Sequence, residues 1–162
     1  MSEAYAFHPI PGRILLPLDF SPSSDAALEM ASELAFHLRA ELFLVNVLPL
    51  IPPTTLPYLA SNETIPHEAK IESLQKLAKC HAELVEKGVK SLSLVEGADD
   101  VAESILEVID REQIDLLVIS THGASGWHPA AFGSVAQKLL KQVKCPVLLI
   151  RSTQAKAATV AA

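Results

Sequence analysis

The chain is 162 residues long, 49% hydrophobic and 20% charged, enough for one domain to bury a core without disulfides or metals and incompatible with wholesale disorder. Nineteen Asp plus Glu against 13 Lys plus Arg give a net charge of -6, which argues against a nucleic-acid backbone as the main partner. Cys80 and Cys145 form no CxxC pair, Met1 to Gly12 joins no basic stretch to an apolar one, and no apolar run approaches the roughly 18 residues of a membrane span; the expectation is a soluble protein of a reducing cytoplasm.

Ile14 to Leu18 is short, rich in branched residues and followed by a helical pattern, so it predicts a strand buried on both faces. Ser21 and Pro22 then supply an N-cap and a first-turn proline for a helix carrying Ala27, Leu28, Ala31, Leu34, Ala35 and Leu38 at helical spacing. Leu42 to Leu48 predicts a second buried strand. Pro49 to Pro66 holds five of the 11 prolines and reads as an extended surface connection. A stripe of Ile71, Leu74, Leu77, Ala78, Leu84 and Val85 predicts a second helix closed by a left-handed Gly88. Val89 to Val95 alternates, as a less buried strand does. Asp100 and Glu103 stand at capping-box spacing before a third helical stripe of Val101, Ile105, Val108 and Ile109. Leu116 to Ser120, a helix from Ser134, and Val147 to Ile150 complete the pattern. Residues 153–162 are small and polar and are expected to fray, which leaves 1–152 as the domain.

Strictly alternating strands and helices with right-handed crossovers give an α/β fold, a parallel sheet covered on both faces. Periodicity does not give strand order, but a doubly wound sheet must reverse direction somewhere, and the loops at the carboxyl ends of the strands flanking that reversal form a ligand crevice. The segment Ser120 to Ser134 joins such a strand to a helix and carries Gly123 and Gly133, with nine residues between them. Two readings stay open. The helix opening at Gly133-Ser134 offers free N-H groups and a dipole to a phosphate, or Ser134 and Gln137 form an ordinary S-x-x-Q capping box. Asp19 is likewise open between a ligand contact at the sheet edge and a local D-x-S turn into the first helix. The Ser120 hydroxyl is a further candidate for hydrogen bonding a ribose or phosphate, and the His122 ring for donating to a phosphate. Neither His122 nor His128 has a partner at metal-ligand spacing, and Cys80 and His81 project about 100° apart on one helix. Lys138 and Lys141 fall away from the Val135, Leu139 and Val143 row, so they read as a solvated face. There is no Ser-His-Asp context, no G-x-x-x-x-G-K-[ST] loop and no carboxylate pair placed for acid-base work, so binding rather than dedicated catalysis is expected, with any hydrolysis slow.

Three pieces in order, Ile14-Leu15-Leu16-Pro17-Leu18-Asp19-Phe20-Ser21, Leu42-Phe43-Leu44-Val45-Asn46-Val47, and the glycine loop running into Gly133-Ser134-Val135-Ala136 and Lys144-Cys145-Pro146-Val147-Leu148-Leu149-Ile150, resemble the universal stress protein family from about Arg13 to Arg151. The resemblance implies a Rossmann-like five-stranded parallel sheet of order 3-2-1-4-5, a homodimer joined along the last strand, Val147 to Ile150, and in one branch a bound ATP with Mg or Mn. That branch is marked by Gly, two residues, Gly, nine residues, Gly, then Ser or Thr. Here Gly123, Gly133 and Ser134 match, while Ser120 stands where the first Gly belongs. By the same resemblance Pro17, Asp19 and Val47 would lie by adenine and ribose, Ile119 would precede the phosphate loop, and Gly123, Gly133, Ser134 and Val135 would meet phosphates. The expected function is that of an adenine-nucleotide-binding, homodimeric stress-response regulator. The alternative is a nucleotide-free interaction module in which Ser120 and Trp127-His128-Pro129 fill or cap the crevice.

Overall fold

The computed structural model describes residues 10–50, 65–121 and 133–151. His122, Gly123, Trp127, His128, most of the Pro49 to Pro66 connection and the tail from Thr153 lie outside them. The elements are β1 (Arg13–Pro17), α1 (Pro22–Leu38), β2 (Glu41–Pro49), α2 (His67–Glu86), β3 (Ser91–Ala98), α3 (Val101–Glu112), β4 (Leu116–Ser120), α4 (Ser134–Gln142) and β5 (Val147–Ile150). The five strands are parallel and lie in the order β3-β2-β1-β4-β5.

The continuous apolar runs of β1, β2 and β4 follow from burial on both faces. Alternate residues divide between two layers of core. Ile14, Leu16, Leu42, Leu44 and Val118 face α1 and α2, and Leu15, Phe43, Val45, Leu117 and Ile119 face α3 and α4. Helix α1 approaches the sheet through small residues, Ser24, Ala27, Ala31 and Ala35, all buried. It starts where Ser21 accepts a hydrogen bond from the Ser24 N-H and Pro22 takes the first turn. Helix α3 is opened by Asp100, whose carboxylate accepts from the Ala102 and Glu103 N-H groups at 3.0 and 3.1 Å. After α2, Gly88 adopts φ +76°, a left-handed value that favours a residue without a Cβ.

Three expectations are corrected. Strand β3 begins at Ser91 and runs to Ala98, two residues later than the alternation suggested. Val89 is buried but closes the end of α2, its N-H donating to Leu84 O at 2.9 Å. On α2, Leu77 and Leu84 are core, whereas Ile71, Leu74 and Val85 are 42–56% exposed. The apolar arc of this helix is wider than the surface it covers. Finally, Lys141 is exposed as expected, but Lys138 is only partly solvated: its ammonium donates to Asp100 Oδ2 at 2.5 Å and to Glu103 Oε1 at 2.9 Å, tying α4 to the start of α3.

Candidate functional site: a cleft at the sheet reversal

Chain direction across the sheet reverses between β1 and β4, which places a crevice at their carboxyl ends. A cavity of about 260 Å³ opens there, close to the small end of the roughly 300–1,000 Å³ typical of ligand sites. Its floor and walls come from Pro17, Leu18 and Asp19 after β1, from Val45, Asn46 and Val47 of β2, and from Ile119, Ser120 and Thr121 of β4. Val101 and Ile105 of α3 and Gly133, Ser134, Val135, Ala136 and Leu139 of α4 close it. Pro17, Asp19, Val47, Ile119, Ser120, Gly133, Ser134 and Val135, scattered over 119 positions of sequence (135 less 17, plus one), are thus brought to one cavity.

Helix α4 gives the cleft its anion-facing character. Its N-cap is Gly133, which has no side chain to offer, and its first turn contains no acidic residue. The other three helices each carry an acid in the first turn, Asp25, Glu68 or Glu103. Ser134 occupies the first helical position, so it does not cap, and the S-x-x-Q box is not formed; Gln137 N-H donates to Gly133 O as part of the helix. The positive end of the helix dipole therefore meets the cleft with no carboxylate in its own first turn. The base of the intervening loop is fixed by Thr121: its carbonyl accepts from the Gly133 N-H at 2.9 Å, and its own N-H donates to Ile150 O at 2.9 Å, extending the β4–β5 ladder.

At the opposite wall, Asp19 Oδ1 accepts from the Ser21 N-H at 3.0 Å and the Ser21 hydroxyl at 2.6 Å. The local turn reading of Asp19 is borne out. Asp19 also lines the cleft, so the turn fixes a carboxylate at its edge. The same bonds hold Phe20 at φ 58°, a left-handed value strained for a bulky side chain, and the Lys76 ammonium lies 5.1 Å from its ring centroid. Asn46 is buried in the cleft floor, donating from Nδ2 to Leu18 O at 2.6 Å and accepting from Ser73 Oγ at 2.7 Å. It joins the end of β1 to α2. Sequence reading gave Asn46 no role, although a lone amide inside the apolar run Leu42 to Leu48 was the available signal. Thr121, Val101, Ile105 and Leu139 were likewise missed as cleft residues.

At the start of α3, the Asp100 carboxyl is held below its ordinary value first by the Lys138 hydrogen bond and then by the Glu103 backbone N-H, and Lys138 is raised by Asp100 and then Glu103. Burial raises the Cys145 thiol. Among the described residues, no three His, Cys, Asp or Glu side chains converge on a cation position, and no helix is long and apolar enough to cross a membrane.

A doubly wound parallel sheet with an apolar cleft at its reversal point and an uncapped helix N-terminus on one wall defines a Rossmann-like α/β domain with a ligand-sized crevice at the switch point. The model of the universal stress protein family matches residues 11–151, and the chain belongs to that family. It is 32% identical over 140 residues to universal stress protein MJ0531 of Methanocaldococcus jannaschii, covering 86% of this chain and 81% of that one. It is 30% identical over 146 residues to universal stress protein YxiE of Bacillus subtilis, covering 86% and 98%. Among solved structures, a universal stress protein family member from Burkholderia pseudomallei superposes with a TM-score of 0.69 at 26% identity over 90% of this chain and 99% of that one. Two more distant folds carry nucleotides: the Archaeoglobus fulgidus protein in complex with dAMP (TM-score 0.66, 20% identity, 87% and 98% covered) and an Arabidopsis thaliana protein with AMP bound (TM-score 0.63, 20% identity, 93% and 98% covered).

Proposed function

We propose that this chain binds an adenine nucleotide, ATP in the first instance, in the cleft between β1, β4 and α4, and acts as a stress-response regulatory protein in the cytoplasm. The observation that carries the reading is the N-terminus of α4, uncapped by a side chain and free of first-turn acids, facing the same cavity as the apolar residues Pro17, Val47 and Ile119. Pro17, Asp19 and Val47 contact base and ribose in this reading, with Ile119 and Ser120 at the entry to the phosphate loop. His122, Gly123, Gly133, Ser134 and Val135 meet the phosphates. The nucleotides bound by the Archaeoglobus and Arabidopsis proteins support it. In this reading Mg or Mn would accompany the nucleotide on its phosphates. Two copies join along β5, an edge strand paired with β4 on one side, and such an edge invites pairing or covering. Residues 1–152 act as the working domain and 153–162 as a tail.

Denaturing the purified protein and identifying the released small molecules by mass spectrometry tests the reading. A near-stoichiometric adenine nucleotide is the expected result. An empty protein that also fails to bind millimolar ATP would overturn it in favour of the nucleotide-free interaction module. One observation favours that second reading: Ser120, which lines the cleft, stands where the ATP-binding pattern has Gly. Under the second reading Ser120→Gly gains nucleotide affinity, whereas under the first it changes little.

A further inference from the structure

The ion-pair cluster of Lys138, Asp100 and Glu103 joins two helices, α3 and α4, that both line the site. Lys138 lies one turn beyond Ser134 on α4, about 6 Å along the helix axis at 1.5 Å per residue. Its ammonium spans to Asp100, the N-cap of α3, and to Glu103 in the first turn of α3. Val101 and Ile105, on the same end of α3, and Val135 and Leu139, on α4, line the cavity together. The bridge therefore crosses the seam where the two helices meet beside the anion-facing terminus. It sets two things at once: the spacing of the first turn of α4 from α3, and the charge beside the phosphates. With Lys138 present the cluster sums to -1 (one Lys against Asp100 and Glu103); without it, two carboxylates stand at the start of α3 uncompensated. The remaining described acids of this wall, Glu107, Asp110 and Glu112, lie further along α3 from its start.

Resting on the nucleotide reading above, we propose that Lys138 is a positioning and specificity-determining residue for the nucleotide's phosphate number: its bridge to Asp100 and Glu103 keeps the site tolerant of polyphosphates. Asp100 and Lys138 each adjoin in sequence a residue that lines the cleft, Val101 and Leu139, and screening at physiological salt acts over roughly 8 Å, so the effect is graded by ligand charge. A purely structural role for Lys138 weakens adenosine, AMP and ATP by the same factor. The electrostatic role weakens them in proportion to phosphate charge.

The test is calorimetric titration of the full chain with adenosine, AMP and ATP for wild type, Lys138→Met, Lys138→Arg and the double variant Asp100→Asn/Lys138→Met. Asparagine retains an N-cap acceptor, so the double variant keeps α3 capped while removing one carboxylate. For Lys138→Met, Coulomb's law with near-aqueous screening gives an expected loss of about 3-fold for AMP and about 10-fold for ATP, with adenosine within about 1.5-fold. Lys138→Arg stays within about 2-fold of wild type for all three, the double variant recovers most of the ATP loss, and 0.5 M salt flattens the gradation. An equal loss for all three ligands, or no recovery in the double variant, overturns the proposal while leaving nucleotide binding standing. Wild type that binds none of them overturns the nucleotide reading itself, and this inference with it. If Lys138→Met fails to fold, the charge-neutral pair Asp100→Asn and Glu103→Gln in the Lys138 background supplies the converse: ATP affinity rises by more than AMP affinity, and equal changes refute the idea.

Discussion

Replacing Ser73 with alanine removes a hydroxyl that is 3% exposed and donates to Asn46 Oδ1 at 2.7 Å. The net worth of such a bond is about 0.5–1.5 kcal/mol, and stranding the buried acceptor costs about 1–3 kcal/mol; the two overlap, so about 1.5–2.5 kcal/mol of stability is at stake. At about 2–4 °C per kcal/mol for a chain of this size, the melting temperature falls by about 3–10 °C. Asn46→Ala removes the same bond together with the one from Nδ2 to Leu18 O, so Ser73→Ala added to Asn46→Ala costs little more. Urea unfolding of the four members of this cycle gives a coupling energy of about 1–2 kcal/mol with an unchanged denaturant slope. A Ser73→Ala loss below about 0.5 kcal/mol, or an additive cycle, would show that the Asn46 link between the cleft floor and α2 does not carry the load assigned to it.

Leu139 is fully buried between the cleft and the core layer of α3 and α4; Leu139→Ala lowers stability by about 2–5 kcal/mol in chemical denaturation, and a loss under about 1 kcal/mol would mean the site collapses freely. Ser21→Ala removes the N-cap of α1 and one of the bonds holding Asp19, at a cost of about 0.5–2 kcal/mol by the same assay. The Asp100 carboxyl sits below its ordinary value because of Lys138. A depressed carboxyl contributes stability above its unfolded-state value, near pH 4, and loses it as the pH falls through the folded value. Low-salt melting curves of wild type therefore drop more steeply below pH 4 than those of Asp100→Asn, and parallel curves would contradict this. Burial raises the thiols of Cys80 and Cys145, so both react with a disulfide reagent at neutral pH more slowly than a free thiol, and the buried Cys145 reacts only on unfolding.

The legibility of the sequence varied with the physics of each element. Strands β1, β2 and β4 announced themselves because burial on both faces leaves no polar alternation to confuse the run. Edge strand β3 was displaced because Val89, apolar and buried, serves the end of α2 rather than the ladder. Strand order rested on family resemblance, since periodicity carries no information about neighbours. Helix α2 shows that an apolar stripe reports hydrophobicity and not contact: Ile71 and Leu74 share the pattern of Leu77 yet face outward. Eight of the candidate residues share the cleft, because motif residues at strand ends converge once the sheet reverses. His122 and Gly123 lie outside the described residues. Asn46 and Lys138 were illegible for one reason: each acts through a partner on another element, Ser73 on α2 and Asp100 at the start of α3, and no local window contains both ends of such a bond.

The central claim is that a phosphate-bearing adenine nucleotide seats against the first turn of α4. Ser134→Glu isolates it, because a carboxylate at the first helical position favours the helix by about 0.3–1 kcal/mol through the dipole while repelling phosphate from the same spot. Calorimetric titration of AMP and ATP against wild type and this variant is the most direct measurement. Wild type is expected to bind and the variant to lose more than about 10-fold in affinity, with a melting temperature unchanged or raised. Equal affinity in the two proteins, or no binding by wild type, would contradict it.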